Sequence, residues 1–274
     1  TEQRVVRLRE AAQASPYWNR PAAPGFVDML LRIKAKLHGF LTHPQRVFRL
    51  YPISGDDPYG PYARAVAYHR QGYTDRAVEE VDRIIQRKSD DPYFHELKGQ
   101  ILFESGRVQN SIVPYRRAVE LAPFEPLIRV SLAQSLLASE DSSVTAEAVE
   151  NLEIANRAEP NNSFAWHQLA LAYNLSGNQP MAALATAERY AIAGRAPQTL
   201  KHAKYAVDHL DPDTPKWYRA QDLLLLARNA VEDSYRRRGK RVPQPEGSKE
   251  DPEEPDHGSK DEPKPGTEGD VQDG

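Results

Sequence analysis

The chain has 274 residues, 27% of them charged and 39% apolar, with a net charge of −3 and no cysteine. Disulfides, cysteine-based zinc sites and thiol nucleophiles are therefore excluded, and the near-neutral balance argues against nucleic acid, which calls for a basic stripe or patch. The longest apolar runs, such as Leu223–Ala227, fall far short of the ~20 residues that cross a bilayer, and no segment reads as a signal peptide.

Residues 1–57 read as short helices joined by linkers. Thr1 is placed to cap a helix over Glu2–Ala14, with Val5, Leu8 and Ala12 on one face, and Ser15-Pro16 breaks it. Pro21 to Pro24 is a linker. Phe26–Leu41 carries Phe26, Met29, Leu30, Ile33 and Leu37 at helical spacing. A short helix near Pro44–Leu50 leads into the loop Tyr51–Gly60. These helices are expected to cover the open end of the segment that starts at Pro58, or to join it to a preceding part. The chain begins at Thr1 rather than Met, so a piece of something longer is expected.

From Pro58 the sequence repeats itself every 34 residues: Gly72 and Gly106, Ala65 and Gly99, Tyr68 and Leu102, Val78 and Ile112, Val81 and Tyr115. Small residues among large apolar ones at this period are the signature of the tetratricopeptide repeat, a pair of antiparallel helices. Repeat one runs from about Pro58 to Asp91, with Ala65, Gly72, Ala77 and Ile84 in its slots. Repeat two runs from Pro92 to Glu125, with Gly99, Gly106, Ser111, Ala118 and Pro123; Lys98 departs from the pattern. Repeat three runs from Pro126 to Asn162 and matches only if three extra residues enter its turn, within Glu140 to Thr145. Repeat four begins near Ser163, and Trp166, Leu169, Ala170, Tyr173, Gly177 and Ala182 fit it closely. Thr186 and Arg189 then weaken the register. Met181–Ala193 is expected to close repeat four and also to pair with Pro197–Leu210, and Trp217–Arg238 to cap the array with one wet face.

Residues 239–274 hold 5 basic against 11 acidic residues, 6 Pro and 6 Gly, and only Val242 and Val271 as large apolar side chains. Such a segment cannot offset its ordering entropy, so a disordered tail is expected. The basic cluster Arg236–Arg241 suits a helix end, where cations meet the dipole. The fold class is thus all-α: a right-handed tetratricopeptide-repeat solenoid over 58–238, N-terminal helices over 1–57, a C-terminal capping helix and the tail.

A repeat array is a binding surface. The second, fifth, ninth and twelfth positions of each first helix face the concave side. They hold Tyr59, Tyr62, Val66 and His69 in repeat one, and Tyr93, Glu96, Gln100 and Phe103 in repeat two. Repeat three places Leu127, Val130, Gln134 and Leu137 there, and repeat four Phe164, His167, Leu171 and Asn174. A mostly apolar groove suits an extended or helical segment with large side chains, as in unfolded polypeptides. The same residues would equally serve to pack against the N-terminal helices or a missing domain, and both readings stand at this point.

No catalytic constellation accompanies the groove. His95-Glu96 begins like the zinc-protease helix, but Gly99 stands where the second histidine is needed. His202 and His209, with Asp211 and Asp213 near, read as surface histidines, and His38 and His43 as helix-end residues. There is no Gly-x-Ser-x-Gly elbow and no phosphate loop. No cofactor or metal is expected in this chain.

The block Pro92-Tyr93-Phe94-His95-Glu96-Leu97-Lys98-Gly99-Gln100-Ile101-Leu102-Phe103-Glu104-Ser105-Gly106-Arg107 resembles the repeat region of bacterial peptidase M48 zinc metalloproteases of the periplasmic type. Ser15–Trp18, Lys34–Leu41 and Arg117–Pro123 share the likeness. The resemblance implies a preceding protease domain that holds zinc through a His-Glu-x-x-His helix and a downstream Glu. No stretch here matches that motif, so no catalytic residue carries over. It further implies a periplasmic or envelope-associated module that recruits substrates and assembly partners in outer-membrane protein quality control, and that contacts its own protease domain. The alternative is a free-standing scaffold unrelated to proteolysis, for which a cytoplasmic location is equally compatible.

Overall fold

The computed structural model describes residues 2–21, 23 and 25–238; the Thr1 cap and the predicted tail 239–274 lie outside them. All regular structure among the described residues is helical. Helix α1 spans Glu2–Gln13, α2 Phe26–Leu41 and α3 Pro44–Leu50. Four hairpins come next. Helix α4 (Gly60–Arg70) pairs with α5 (Thr74–Arg87), α6 (Pro92–Glu104) with α7 (Val108–Leu121), α8 (Pro126–Ala138) with α9 (Thr145–Ala158), and α10 (Ser163–Leu175) with α11 (Gln179–Ile192). Helix α12 (Ala196–His209) and α13 (Pro215–Arg237) close the series.

The hairpin turns arise from one glycine slot. Gly72, Gly106 and Gly177 end their first helices at φ 78°, 77° and 77°, a left-handed geometry that costs glycine little. In the first turn Gly72 N–H donates to His69 O at 2.9 Å and Tyr73 N–H to Tyr68 O at 3.0 Å, the crossed pair that satisfies a helix's last carbonyls. The third hairpin differs. Glu140 occupies the slot at φ 59°. The extra residues form a 3-10 turn over Ser142–Val144, opened by Asp141, whose carboxylate accepts from Ser143 N–H at 2.9 Å. The insertion thus falls where the sequence placed it. Gly194 (φ 66°) repeats the same turn between α11 and α12, so α11 packs on α12 as tightly as a partner within a hairpin.

Within residues 1–231, α3 to α12 pack mainly on the helices next to them in the chain, and α2 packs on α4, the local pattern expected of a repeat array. Small residues make the close crossings. A Cβ on Gly99 would lie 2.7 Å from the Tyr115 ring, and one on Gly39 of α2 would lie 2.8 Å from Val66 Cβ. Consecutive first helices also touch, α6 with α8 and α8 with α10, while consecutive second helices make no comparable contact. One wall of the stack is therefore built from first helices alone.

Ion pairs compensate the departures from the apolar pattern. The seventh position of the repeat holds Arg64 and Lys98 in repeats one and two but Leu132 and Leu169 later. Arg64 is buried, donates to Glu80 at 2.7 Å, and reaches the carbonyls of Tyr51 and Pro52 at 3.2 and 3.1 Å. Lys98 meets Asp82 at 2.6 Å. At the far end α13 buries Ala220, Leu223 and Ala227, and Arg219 grips the buried Glu188 of α11 through bonds of 2.6 and 2.8 Å. Leu225 and Leu226 stay exposed.

Candidate protein-binding groove

The predicted groove residues separate into a covered group and an open one. Tyr59, Tyr62 and Val66 are buried. Helix α2 lies on α4, and its Gly39 brings the two backbones together over Ala63 and Val66. Of the two readings open for these three residues, packing against the N-terminal helices is the one observed: they form the seat of α2. The burial pushes the Tyr62 hydroxyl's pKa upward, and the ring meets Phe94 edge-on with centroids 5.8 Å apart. The physical reason is the amphipathic character of α2: its small residues Ala35 and Gly39 fit against an apolar helix, so they occupy the end of the groove.

Polar latches hold α2 in place. Tyr59 Oη donates to Asp28 Oδ2 at 2.6 Å, and Lys88 Nζ reaches the same oxygen at 3.0 Å. The Tyr59 bond and then Lys88 hold the Asp28 carboxyl below the usual carboxylate range. Arg70 donates to Gly39 O at 2.9 Å and to Thr42 O at 2.7 Å, the carbonyls at the end of α2. His69, the fourth residue predicted in this repeat, is half-buried and bonds Glu104 at 2.7 Å through Nε2.

Beyond α2 the wall is open. On α6, Tyr93 is exposed, while Glu96, Gln100 and Phe103 are half-buried. On α8, Leu127 is 58% exposed, Gln134 and Leu137 are half-buried, and Val130 turns into the core. On α10, Phe164, His167, Leu171 and Asn174 are all exposed. The side chains recur every three or four residues on each helix, and the helices touch in the order α6, α8, α10, so the row is continuous. Burial raises the Glu96 carboxyl's pKa, opposed by the charges of Lys36 and Arg32 and reinforced by Glu125. His167 Nδ1 faces Arg189 Nη1 at 3.1 Å. Arg189, out of register as a repeat residue, thus serves the groove's edge.

The groove also extends further than the sequence reading took it. Lys201, Tyr205 and Asp208 on α12 stand 34 residues after His167, Leu171 and Asn174. With Asn174 they line a trough whose other side includes Ala182, Ala183 and Thr186 of α11. The signal for a fifth unit is the same spacing, obscured because Lys204 and Lys216 stand where the repeat's small residues belong. His209 stacks on Tyr205 with centroids 4.0 Å apart, and His202 stacks on Tyr190 at 5.7 Å. Among the described residues, no group of three His, Asp or Glu side chains converges as a metal site, and no helix is long and apolar enough to cross a membrane.

Comparison with known proteins adds the fold's name. A tetratricopeptide-repeat family model matches residues 62–126. Among solved structures, YrrB, a tetratricopeptide-repeat protein described as having an unusual peptide-binding site, is 15% identical with a TM-score of 0.51, over 64% of this chain and 90% of YrrB. MamA MSR-1 C2 is 18% identical with a TM-score of 0.50, over 62% of this chain and 98% of MamA. No curated protein matches the sequence. Residues 62–126 are therefore a tetratricopeptide-repeat segment, set in the all-helical repeat fold of tetratricopeptide-repeat proteins.

Proposed function

We propose that this chain is a protein-interaction module that recruits polypeptide substrates or partner proteins for an M48-type zinc metalloprotease in envelope protein quality control. One observation carries the module: Tyr93, Leu127, Phe164 and Leu171, between 37% and 58% exposed, continue one apolar row across three adjoining helices. Large apolar side chains left in water on a concave wall gain most from a segment that brings its own. The half-buried Glu96 gives the row one charged position, suited to a basic residue of the bound segment.

The proteolytic assignment has a separate support, the wording of Pro92–Arg107, Lys34–Leu41 and Arg117–Pro123. It places zinc and catalysis in a preceding domain and the whole in the periplasm or at the envelope. The likeness to YrrB is one of fold; it makes an extended peptide the first ligand to try.

Calorimetric titration with a permanently unfolded polypeptide, reduced and carboxymethylated lactalbumin, tests the module. Binding is expected, and the double variant Leu127→Ser, Phe164→Ala should weaken it about tenfold or more, the scale of a lost aromatic anchor. Equal affinity of both proteins would remove the groove from the account. The proteolytic link is tested separately by the gene upstream of Thr1: a His-Glu-x-x-His helix is expected there, and its absence leaves a free-standing scaffold.

A further inference from the structure

The packed side of α2 is fully engaged, but its other side is not. Phe26, Met29, Leu30, Ile33, Leu37 and Leu41 are between 47% and 77% exposed, at the three- and four-residue intervals that make one helix face. On a wheel of about 100° per residue, Lys34 and Lys36 fall on the two borders of this face, and both are exposed. The one acidic residue of α2, Asp28, lies on the packed side with Tyr59 and Lys88. Helix α1 buries no residue and leaves Val5 and Leu8 exposed beside Arg4, Arg7 and Arg9. Tyr17 and Trp18 are more than half exposed, with Arg20 stacked on Tyr17 at 4.6 Å. Residues 1–53 hold 9 basic against 3 acidic side chains, whereas the chain as a whole is negative.

Whatever covers this face must supply both apolar matter and negative charge. A second copy would bring the apolar face but the same excess of cations. The acidic tail would bring charge, but Val242 and Val271 are its only large apolar residues. We propose that the α2 face, with α1 and Trp18, docks on the surface of an anionic lipid bilayer. The helix lies in the interface with its apolar stripe among the acyl chains and its bordering lysines among the headgroups, as interfacial amphipathic helices do. Trp18 and Tyr17 are of the kind that settle at headgroup level. The contact is peripheral and adds nothing to the groove on α6, α8 and α10, so it stands independently of the function proposed above.

Co-sedimentation of the full chain with vesicles tests it, comparing pure phosphatidylcholine with a mixture containing phosphatidylglycerol. The protein should pellet with the anionic vesicles and be released by salt. Lys34→Gln with Lys36→Gln should lower the vesicle affinity about twenty-fivefold, each lysine near an anionic surface contributing about a factor of five. Ile33→Ser with Leu37→Ser should abolish pelleting while circular dichroism stays unchanged, since both side chains are exposed. Pelleting that is absent, equal on neutral vesicles, or unaffected by these variants overturns the proposal. So does a dimer in light scattering that Ile33→Ser dissolves, which would give the face to a second copy. Saturable binding to an acidic protein domain without vesicle binding would give it to a protein partner, and also overturns it.

Discussion

Arg32 on α2 and Asp91 at the head of α6 meet through two parallel hydrogen bonds of 2.9 and 3.0 Å, across 59 residues of sequence. The same carboxylate accepts from Tyr93 N–H at 3.1 Å, the bond of a helix cap. The guanidinium in turn lies over the rings of Tyr93 and Phe94, 4.5 and 5.2 Å from their centroids. One side chain thus starts the helix that begins the open groove and fastens the helix that covers its end.

That double duty can be separated by substitution. Asp91→Ala removes cap and ion pair together and should destabilise the protein by about 2 kcal/mol, roughly half from the cap and half from the partly screened pair. Asp91→Asn keeps a capping oxygen and should cost about half as much. Urea midpoints at constant slope measure both. Equal losses would mean that the cap contributes nothing to stability, and an Asp91→Asn protein as stable as the native chain would mean that the bond to Arg32 contributes nothing.

A second prediction comes from the turn slot. Gly72, Gly106 and Gly177 take a positive φ that Glu140 must also adopt, at 59°. A residue with a Cβ loses about 1 kcal/mol in that geometry. Glu140→Gly should therefore raise stability by about 1 kcal/mol, and Gly72→Ala should lower it by a similar amount. Thermal unfolding of the two variants decides it; a destabilised Glu140→Gly protein would show that the glutamate has a role in the 3-10 turn outweighing its strain.

The third concerns how binding at the groove is to be probed. Tyr62 sits under α2 against Phe94, so Tyr62→Ala opens a cavity and should cost about 3–5 kcal/mol. Any loss of binding it causes reports unfolding. Leu127 and Phe164 are about half exposed, and replacing each should change stability by no more than about 1 kcal/mol. Chemical denaturation of Tyr62→Ala beside the Leu127→Ser, Phe164→Ala protein checks the contrast. A stable Tyr62→Ala protein would mean that α2 does not seal this end of the groove in solution.

These contrasts mark how far the sequence could be read. The helices over Phe26–Leu41 and Pro44–Leu50 were legible to the residue, because apolar spacing and flanking Thr42 and Pro44 bound them. The turn glycines and the insertion after Glu140 were legible from the repeat period. The covering of Tyr59, Tyr62 and Val66 was not. A groove position and a core position hold the same residue types, and which one a tyrosine occupies depends on where an independent helix lands. The pairs Arg64–Glu80 and Arg219–Glu188 were equally hidden, since a charged residue in an apolar slot reads as a mismatch until its partner, 16 or 31 residues away, is seen. The extension onto Lys201, Tyr205 and Asp208 was present in the spacing, masked because Lys204 and Lys216 replace the small residues by which a repeat is recognised, although α12 keeps an apolar face.

The last prediction concerns Glu96, the carboxylate in the open groove. Burial raises its pKa in the folded chain above the ordinary value of 4.5, despite Lys36 and Arg32 nearby. A folded state that holds the proton more tightly than the unfolded one loses stability as pH rises. The contribution of Glu96 is fully present below pH 4.5 and is lost as pH climbs through the raised folded-state value. Carboxylates such as Asp28 and Asp75, held below their usual range, slope the other way and mask this in the whole protein. The informative quantity is thus the difference between the native chain and Glu96→Gln. The variant should be the more stable of the two at about pH 7.5, and the gap should close towards about pH 4. Urea unfolding of both proteins across this range measures it. A gap that does not change with pH would show that Glu96 is adequately solvated in the groove. A native chain more stable than the variant at the upper end of the range would show instead that Lys36 and Arg32 already neutralise the carboxylate. The charged position assigned to a basic residue of the bound segment would then be filled from within the chain.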